Sequence, residues 1–129
     1  MLFRSDTLAV GHPIFELGSI FNAFSGFFEV DTNGIESFQG FSAETGHRFW
    51  RRTLELYLGT KNDEAIREVE DKARIVGYCR LLARSVKRGL NLEGQGKEEY
   101  EVWKQHLIEL LDRTDTLTFE EIGRASCRE

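Results

Sequence analysis

The chain has 129 residues, enough for one small domain, and its 40% hydrophobic and 30% charged content is ordinary for a soluble globular protein. A formal charge of -5 runs against nucleic-acid binding, which requires a basic face. The apolar stretches fall far short of the roughly 20 residues of a membrane helix.

In chain order, the first informative feature is the amino terminus itself. Met1, Leu2, Phe3, Arg4 and Ser5 read as a translated sequencing-library adapter, and residues 121–129, EIGRASCRE, read as the opposing adapter in the same frame. On this reading the natural sequence covers residues 6–120, an internal piece of a longer protein, and residues 1–5 and 121–129 stand outside the fold. Removing Arg4, Arg124 and Arg128 together with Glu121 and Glu129 takes the charge from -5 to -6. It also removes Cys127 and leaves Cys79, which the helical apolar pattern around it packs as a small hydrophobe. A lone thiol points to a reducing, cytoplasmic setting.

Pro13, following Gly11 and His12, opens an apolar run over residues 14–28; proline suits the first helical position because its missing N–H has no partner to lose there. Residues 31–40 read as a polar connection with one short helical turn. Ser42 is placed to cap a helix that carries Glu44 in its first turn, ends near Leu58 and stops at Gly59. Asn62 or Asp63 starts the longest helix, reaching about Leu90. One apolar stripe on it runs through Ile66, Val69, Ala73, Val76 and Ala83, and a second through Ile75, Cys79, Leu82 and Val86. Two stripes predict a central helix with neighbours on more than one side. Tyr100, Trp103, Leu107, Leu110 and Leu111 form one amphipathic face, and Thr118 with Glu121 resembles a capping box. Nothing alternates over a strand's length, so the expected class is all-α with about five helices.

The stretch 6–17, DTLAVGHPIFEL, carries a motif. Gly11, His12, Pro13, Ile14, Phe15, Glu16 and Leu17 resemble the Gly-Asp-Pro-x-x-Asp-Leu that follows the metal-binding loop in the aminoglycoside phosphotransferase and choline kinase superfamily, with His12 and Glu16 where Asp is usual. The segment is similar to a bacterial kinase-like subgroup in which Asp-x-Asp-Thr-Leu precedes Gly-His-Pro, and the later helix from Phe49 and Trp50 to Tyr57 also looks like that subgroup. The resemblance implies that the chain is the helical C-lobe remnant of a protein-kinase-like phosphotransferase. Such an enzyme passes the γ-phosphoryl group of ATP, with magnesium, to a hydroxyl of a small molecule. It puts Asp6 in the second shell of the magnesium and leaves Gly11, His12, Pro13 and Glu16 as structural residues of the helix start. Gly11 gives a close approach, Pro13 sets the helix, and Glu16 takes backbone N–H groups. The metal-binding Asp itself aligns with Arg4. The family's His-Gly-Asp catalytic loop with its downstream Asn, and its nucleotide-binding strands, have no counterpart in these residues. No catalytic and no nucleotide-binding residue is therefore assigned, and the piece alone is expected to be inactive.

Several other patterns are weighed as ordinary packing or solvation. Glu44 with His47, and His106 with Glu109, have helical spacings that suit metal ligation, but no second pair accompanies either. The clusters Arg48, Arg51, Arg52 and Arg80, Arg84, Lys87, Arg88 read as a solvated face paired with Glu55, Glu68 or Glu70. Phe24, Phe27, Phe28, Phe38 and Phe41 read as core, with self-association of the piece where they are exposed. The competing class is a non-enzymatic helical module that binds a protein partner.

Overall fold

The computed structural model describes residues 11–114, and among them every regular element is helical. The first helix, α1, covers Pro13–Phe24. A 3-10 turn over Gly26–Glu29 follows, then α2 over Thr32–Gln39 and α3 over Ala43–Leu58. The long α4 covers Asp63–Lys87, and α5 covers Gly94–Asp112.

The ends of these helices follow from local chemistry. Pro13 occupies the first turn of α1, and His12 caps it: its Nδ1 accepts the Ile14 N–H at 3.1 Å. Ser42 Oγ accepts the Thr45 N–H at 3.2 Å, and Gly59, at φ 66°, closes α3 in the left-handed conformation that suits glycine. Asn62 Oδ1 accepts the Ala65 N–H at 3.0 Å and opens α4, with Asp63 and Glu64 favourably placed against the helix dipole. The connection expected over 31–40 instead holds an eight-residue helix, because Asp31 caps Gly34 N–H at 3.1 Å and supplies a proper start.

The centre of the bundle is α4. Its 25 residues span about 37 Å, longer than any partner. α3 runs antiparallel to it, as the pairs Arg51–Asp63 and Trp50–Glu70 show, and α5 runs antiparallel on another side, with pairs Asp71–Arg113 and Tyr78–His106. α1 packs most closely of all. A Cβ on Gly77 would lie 2.8 Å from the Phe21 ring and 2.7 Å from Asn22 Oδ1, and one on Gly18 would lie 2.8 Å from Val76 Cγ1. Only glycine admits this approach, which lets Asn22 Nδ2 donate to the Gly77 carbonyl at 3.1 Å. Phe21 then sits between Trp50 and Tyr78, ring centroids 5.7 and 5.5 Å away. Aromatic contacts of this kind add about 0.5–1.5 kcal/mol each beyond burial.

Three expectations about the core need correction. On α4 the inward face does hold Ile66, Val69, Ala73 and Ile75, with Val76 and Leu82 packed beside it, but it continues through Tyr78, Leu81 and Ser85; Ala83, Cys79 and Val86 are exposed. Cys79 is thus a surface residue rather than a packed one. The helix ends at Lys87, three residues before Leu90, with Gly89 at φ 69° breaking it. Phe28 is buried and Phe24, Phe27 and Phe41 are half-buried, but Phe38 is 84% exposed, since the short α2 meets the bundle on another face. No helix among the described residues is long and apolar enough to cross a membrane.

Candidate functional site

The residues singled out by the motif form a helix start. His12 and Pro13 set the first turn of α1, and Gly11 precedes them at the surface. Glu16 lies exposed in that first turn; it makes no hydrogen bond among the described residues and contributes its charge near the positive end of the helix. Asp6 lies outside the described residues, as do both adapter-like ends, Thr118 and Glu121. One turn further along, Arg80 of α4 reaches back to donate to Ser19 Oγ, with the Phe15 carbonyl 3.5 Å away.

A different set of residues meets at the other end of α1, and the sequence reading did not assemble it. Glu29, on the 3-10 turn, receives the Tyr78 hydroxyl of α4 at 2.8 Å from both carboxylate oxygens, and His106 Nδ1 of α5 lies 2.9 Å from its Oε2. An ionised carboxylate only accepts, so Nδ1 carries the proton that is donated. Arg74 Nη2 donates to the Tyr78 oxygen at 2.9 Å and lies 3.6 Å from Glu29 Oε1. Four side chains from three elements thereby close one polar network. Burial, with the Glu29 carboxylate beside it, pushes the Tyr78 hydroxyl well above its usual pKa of 10.0, against the opposing pull of Arg74. Burial disfavours the Arg74 charge, but the hydrogen bond to Tyr78 and the carboxylates of Glu29 and Glu70 outweigh it, so the guanidinium stays firmly cationic.

Beside this network lies a cleft of about 250 Å³ lined by Phe21, Ser25, Glu29, His47, Trp50, Arg51, Glu70 and Arg74. Its walls are brought together by Gly46, whose place against the Phe24 carbonyl oxygen leaves no room for a Cβ. That contact seats α3 on the end of α1, and His47 Nδ1 comes to 2.7 Å from Ser25 Oγ. Trp50 Nε1 donates to Glu70 Oε2 at 2.9 Å across α3 and α4. Trp103 Nε1 donates to the Gly26 carbonyl at 3.2 Å and ties α5 to the same corner. A second cleft, of about 460 Å³, opens on the other side of Glu29 and is lined by Gly94, Glu98, Glu99 and Val102 among others. Burial, and Asp31 nearby, raise the Glu99 carboxyl above its ordinary pKa.

The remaining candidates fall into ordinary roles. His47 turns to Ser25 rather than to Glu44, and Glu109 receives Gln105 Nε2 at 3.1 Å while His106 serves Glu29. Among the described residues no group of three or more His, Cys, Asp or Glu side chains is arranged to hold a metal ion. Arg51 pairs with Asp63 at 2.5 Å and Glu55 at 3.2 Å, and Arg52 with Glu55 at 3.1 Å, as the solvated-face reading expects. Glu70 serves Trp50 instead of an arginine. Glu29, Arg74, Tyr78 and Ser25 were missed. The one available signal was that Arg74 and Tyr78 stand four residues apart where the buried stripe of α4 continues.

No protein-family model, no curated protein and no solved structure matches the chain.

Proposed function

We propose that this chain is the helical C-terminal subdomain of a kinase-like phosphotransferase, whose whole form transfers the γ-phosphoryl group of ATP, with magnesium, to a hydroxyl of a small cytoplasmic molecule. The observation that carries the reading is the start of α1. The family-like residues Gly11, His12 and Pro13 form a capped helix start, and His12, standing where an Asp is usual, does the work a carboxylate would do by accepting the Ile14 N–H at 3.1 Å. The helix so started packs against the central α4 of an all-α bundle, which fits the helical lobe the resemblance implies.

In this reading magnesium would neutralise the phosphate charges during transfer. Its ligand aligns with position 4 and its second-shell carboxylate with Asp6, both outside residues 11–114. The described residues supply the platform that orients the segment before His12. They hold neither nucleotide nor metal on their own.

The test joins residues 6–120 to their upstream reading frame and assays phosphoryl transfer from Mg-ATP to a panel of amino alcohols, sugars and aminoglycosides. Transfer that disappears when the Asp two positions before Asp6 is replaced supports the proposal; an extended protein that neither binds nor consumes ATP opposes it. The chain by itself should show no thermal shift with Mg-ATP, since a ligand of the folded state must raise its stability. The second reading, a helical module that binds a protein partner, draws on the exposed Phe38 and Leu92, 84% and 73% accessible. It gains if the extended protein has no ATP-dependent chemistry.

A further inference from the structure

The carboxyl half of α4 keeps one apolar face exposed. Cys79, Ala83 and Val86 recur at intervals of four and three, which puts them on one side of the helix, and all three are exposed. Gly89 then turns the chain: the Leu90 N–H bonds back to the Ser85 carbonyl at 2.9 Å, and Leu92 lies against Gly89. Val86, Leu90 and Leu92 are 56%, 44% and 73% exposed, so the apolar surface continues past the end of the helix. Single exposed apolar side chains are ordinary, but a run of them on adjoining turns marks an interaction surface. Beside this strip runs a ridge of cations. Arg80, Arg84 and Lys87 follow the same spacing one residue further on, and Arg88 stands at the cap. The carboxylates expected to pair with them are engaged elsewhere: Glu68 with Lys72, Glu70 with Trp50, and Glu55 with Arg51 and Arg52. Arg80 donates to Ser19 Oγ and Arg84 stands over the Phe27 ring, both neutral groups. Glu99 feels the charge of Arg84 without forming a pair with it. Among the described residues none of the four cations forms an ion pair, although acidic residues outnumber basic ones by 22 to 17 in the chain. The helix dipole favours cations at this end, but it does not account for the apolar strip at their side.

We infer that this face docks an acidic amphipathic helix of a protein partner, with the partner's apolar stripe on Val86, Leu90 and Leu92 and a row of Asp or Glu along Arg80, Arg84 and Lys87. Charge complementarity selects this occupant. A second copy docking by the same face would set these cations against their own counterparts. An anionic lipid surface would meet repulsion from the rest of an acidic chain, whose net charge is -5. A helix with acidic flanks meets neither obstacle: its apolar stripe supplies affinity, and its flanking charges set orientation and exclude basic competitors. The inference needs only the surface of residues 11–114 and stands whether or not the whole protein transfers phosphate.

The experiment follows the backbone amides of the isotope-labelled chain by NMR while a helical peptide of about five turns, with one leucine stripe flanked by glutamates, is added. The control peptide has lysines in place of the glutamates. The expected result is a saturable shift at Ala83, Val86 and Leu90 with the glutamate peptide, weakening as salt is added, and binding about tenfold poorer with the lysine peptide. Phe38, itself 84% exposed, should not respond to either. R84E combined with K87E should weaken the glutamate peptide by about tenfold and strengthen the lysine peptide, a reversal that loss of fold could not produce. V86S, at an exposed site that leaves the bundle intact, should weaken the glutamate peptide by a few-fold. Equal binding of the two peptides, no response to either, shifts that spread to Phe38, or a response of these amides to phosphatidylserine vesicles and not to the glutamate peptide overturns the inference.

Discussion

The two ends of α1 are built in different ways. At its start the helix is set over neighbouring residues: His12 accepts the Ile14 N–H and Pro13 fixes the backbone. At its far end, about 18 Å away along a twelve-residue helix, the 3-10 turn supplies Glu29. Glu29 is completed by Tyr78, 49 residues away in sequence, and His106, 77 away. The first end is a local device that tolerates damage. The second is a tertiary one, in which each member leaves the others unsatisfied when it is removed.

That contrast can be broken most severely at Glu29. E29A takes the carboxylate from the half-buried Arg74 guanidinium and the acceptor from the buried Tyr78 hydroxyl, and urea unfolding should show a loss of about 2–3 kcal/mol. G46A comes next. The added Cβ meets the Phe24 carbonyl oxygen, which the backbone cannot easily move, so α3 must shift from the end of α1 at a cost of about 1–3 kcal/mol. The same variant should separate His47 from Ser25, seen as a changed His47 ring resonance.

Tyr78 sharpens the comparison through pH. Its hydroxyl ionises far less readily in the folded chain than in the unfolded one, where the ordinary value of 10.0 applies. Its contribution is therefore fully present below pH 10.0 and is lost as pH climbs toward the raised folded value. Stability should fall above that point with a slope approaching about 1.4 kcal/mol per pH unit. In Y78F this alkaline slope should flatten while the other tyrosines and lysines keep theirs; identical slopes in the two proteins would show that the hydroxyl is not held as described.

The local end predicts smaller effects. H12A removes one cap and should cost about 1 kcal/mol in thermal unfolding, leaving the Glu29 network unchanged. F38S should alter stability by less than about 0.5 kcal/mol, since the ring is 84% exposed, and should reduce any self-association seen by sedimentation.

The same contrast decides what was legible in the sequence. The starts at Pro13, Ser42 and Asn62 and the stop at Gly59 were readable because capping chemistry acts over two to four residues. The inward face of α4 was readable through Ile66, Val69, Ala73 and Ile75, with Val76 and Leu82 packed at its margins. In its second half the apolar pattern also favoured Cys79, Ala83 and Val86, whereas the structure buries Tyr78, whose hydroxyl is satisfied by Glu29. A tyrosine is a good core residue only when such a partner exists, and that partner belongs to another element. Phe38 failed in the opposite sense: its composition suggested core, but α2 presents it to solvent. His47 and His106 were weighed along their own helices, while each finds its hydrogen bond on a different element, at Ser25 and at Glu29.

The proposal that the chain is the helical lobe of a kinase-like phosphotransferase meets its sharpest test in sequencing the source DNA outward from the codons of residues 6–120. The expected upstream frame encodes His-Gly-Asp, a following Asn, and an Asp two codons before Asp6. A start codon with its ribosome-binding site immediately before Asp6, and no such residues upstream, would contradict it.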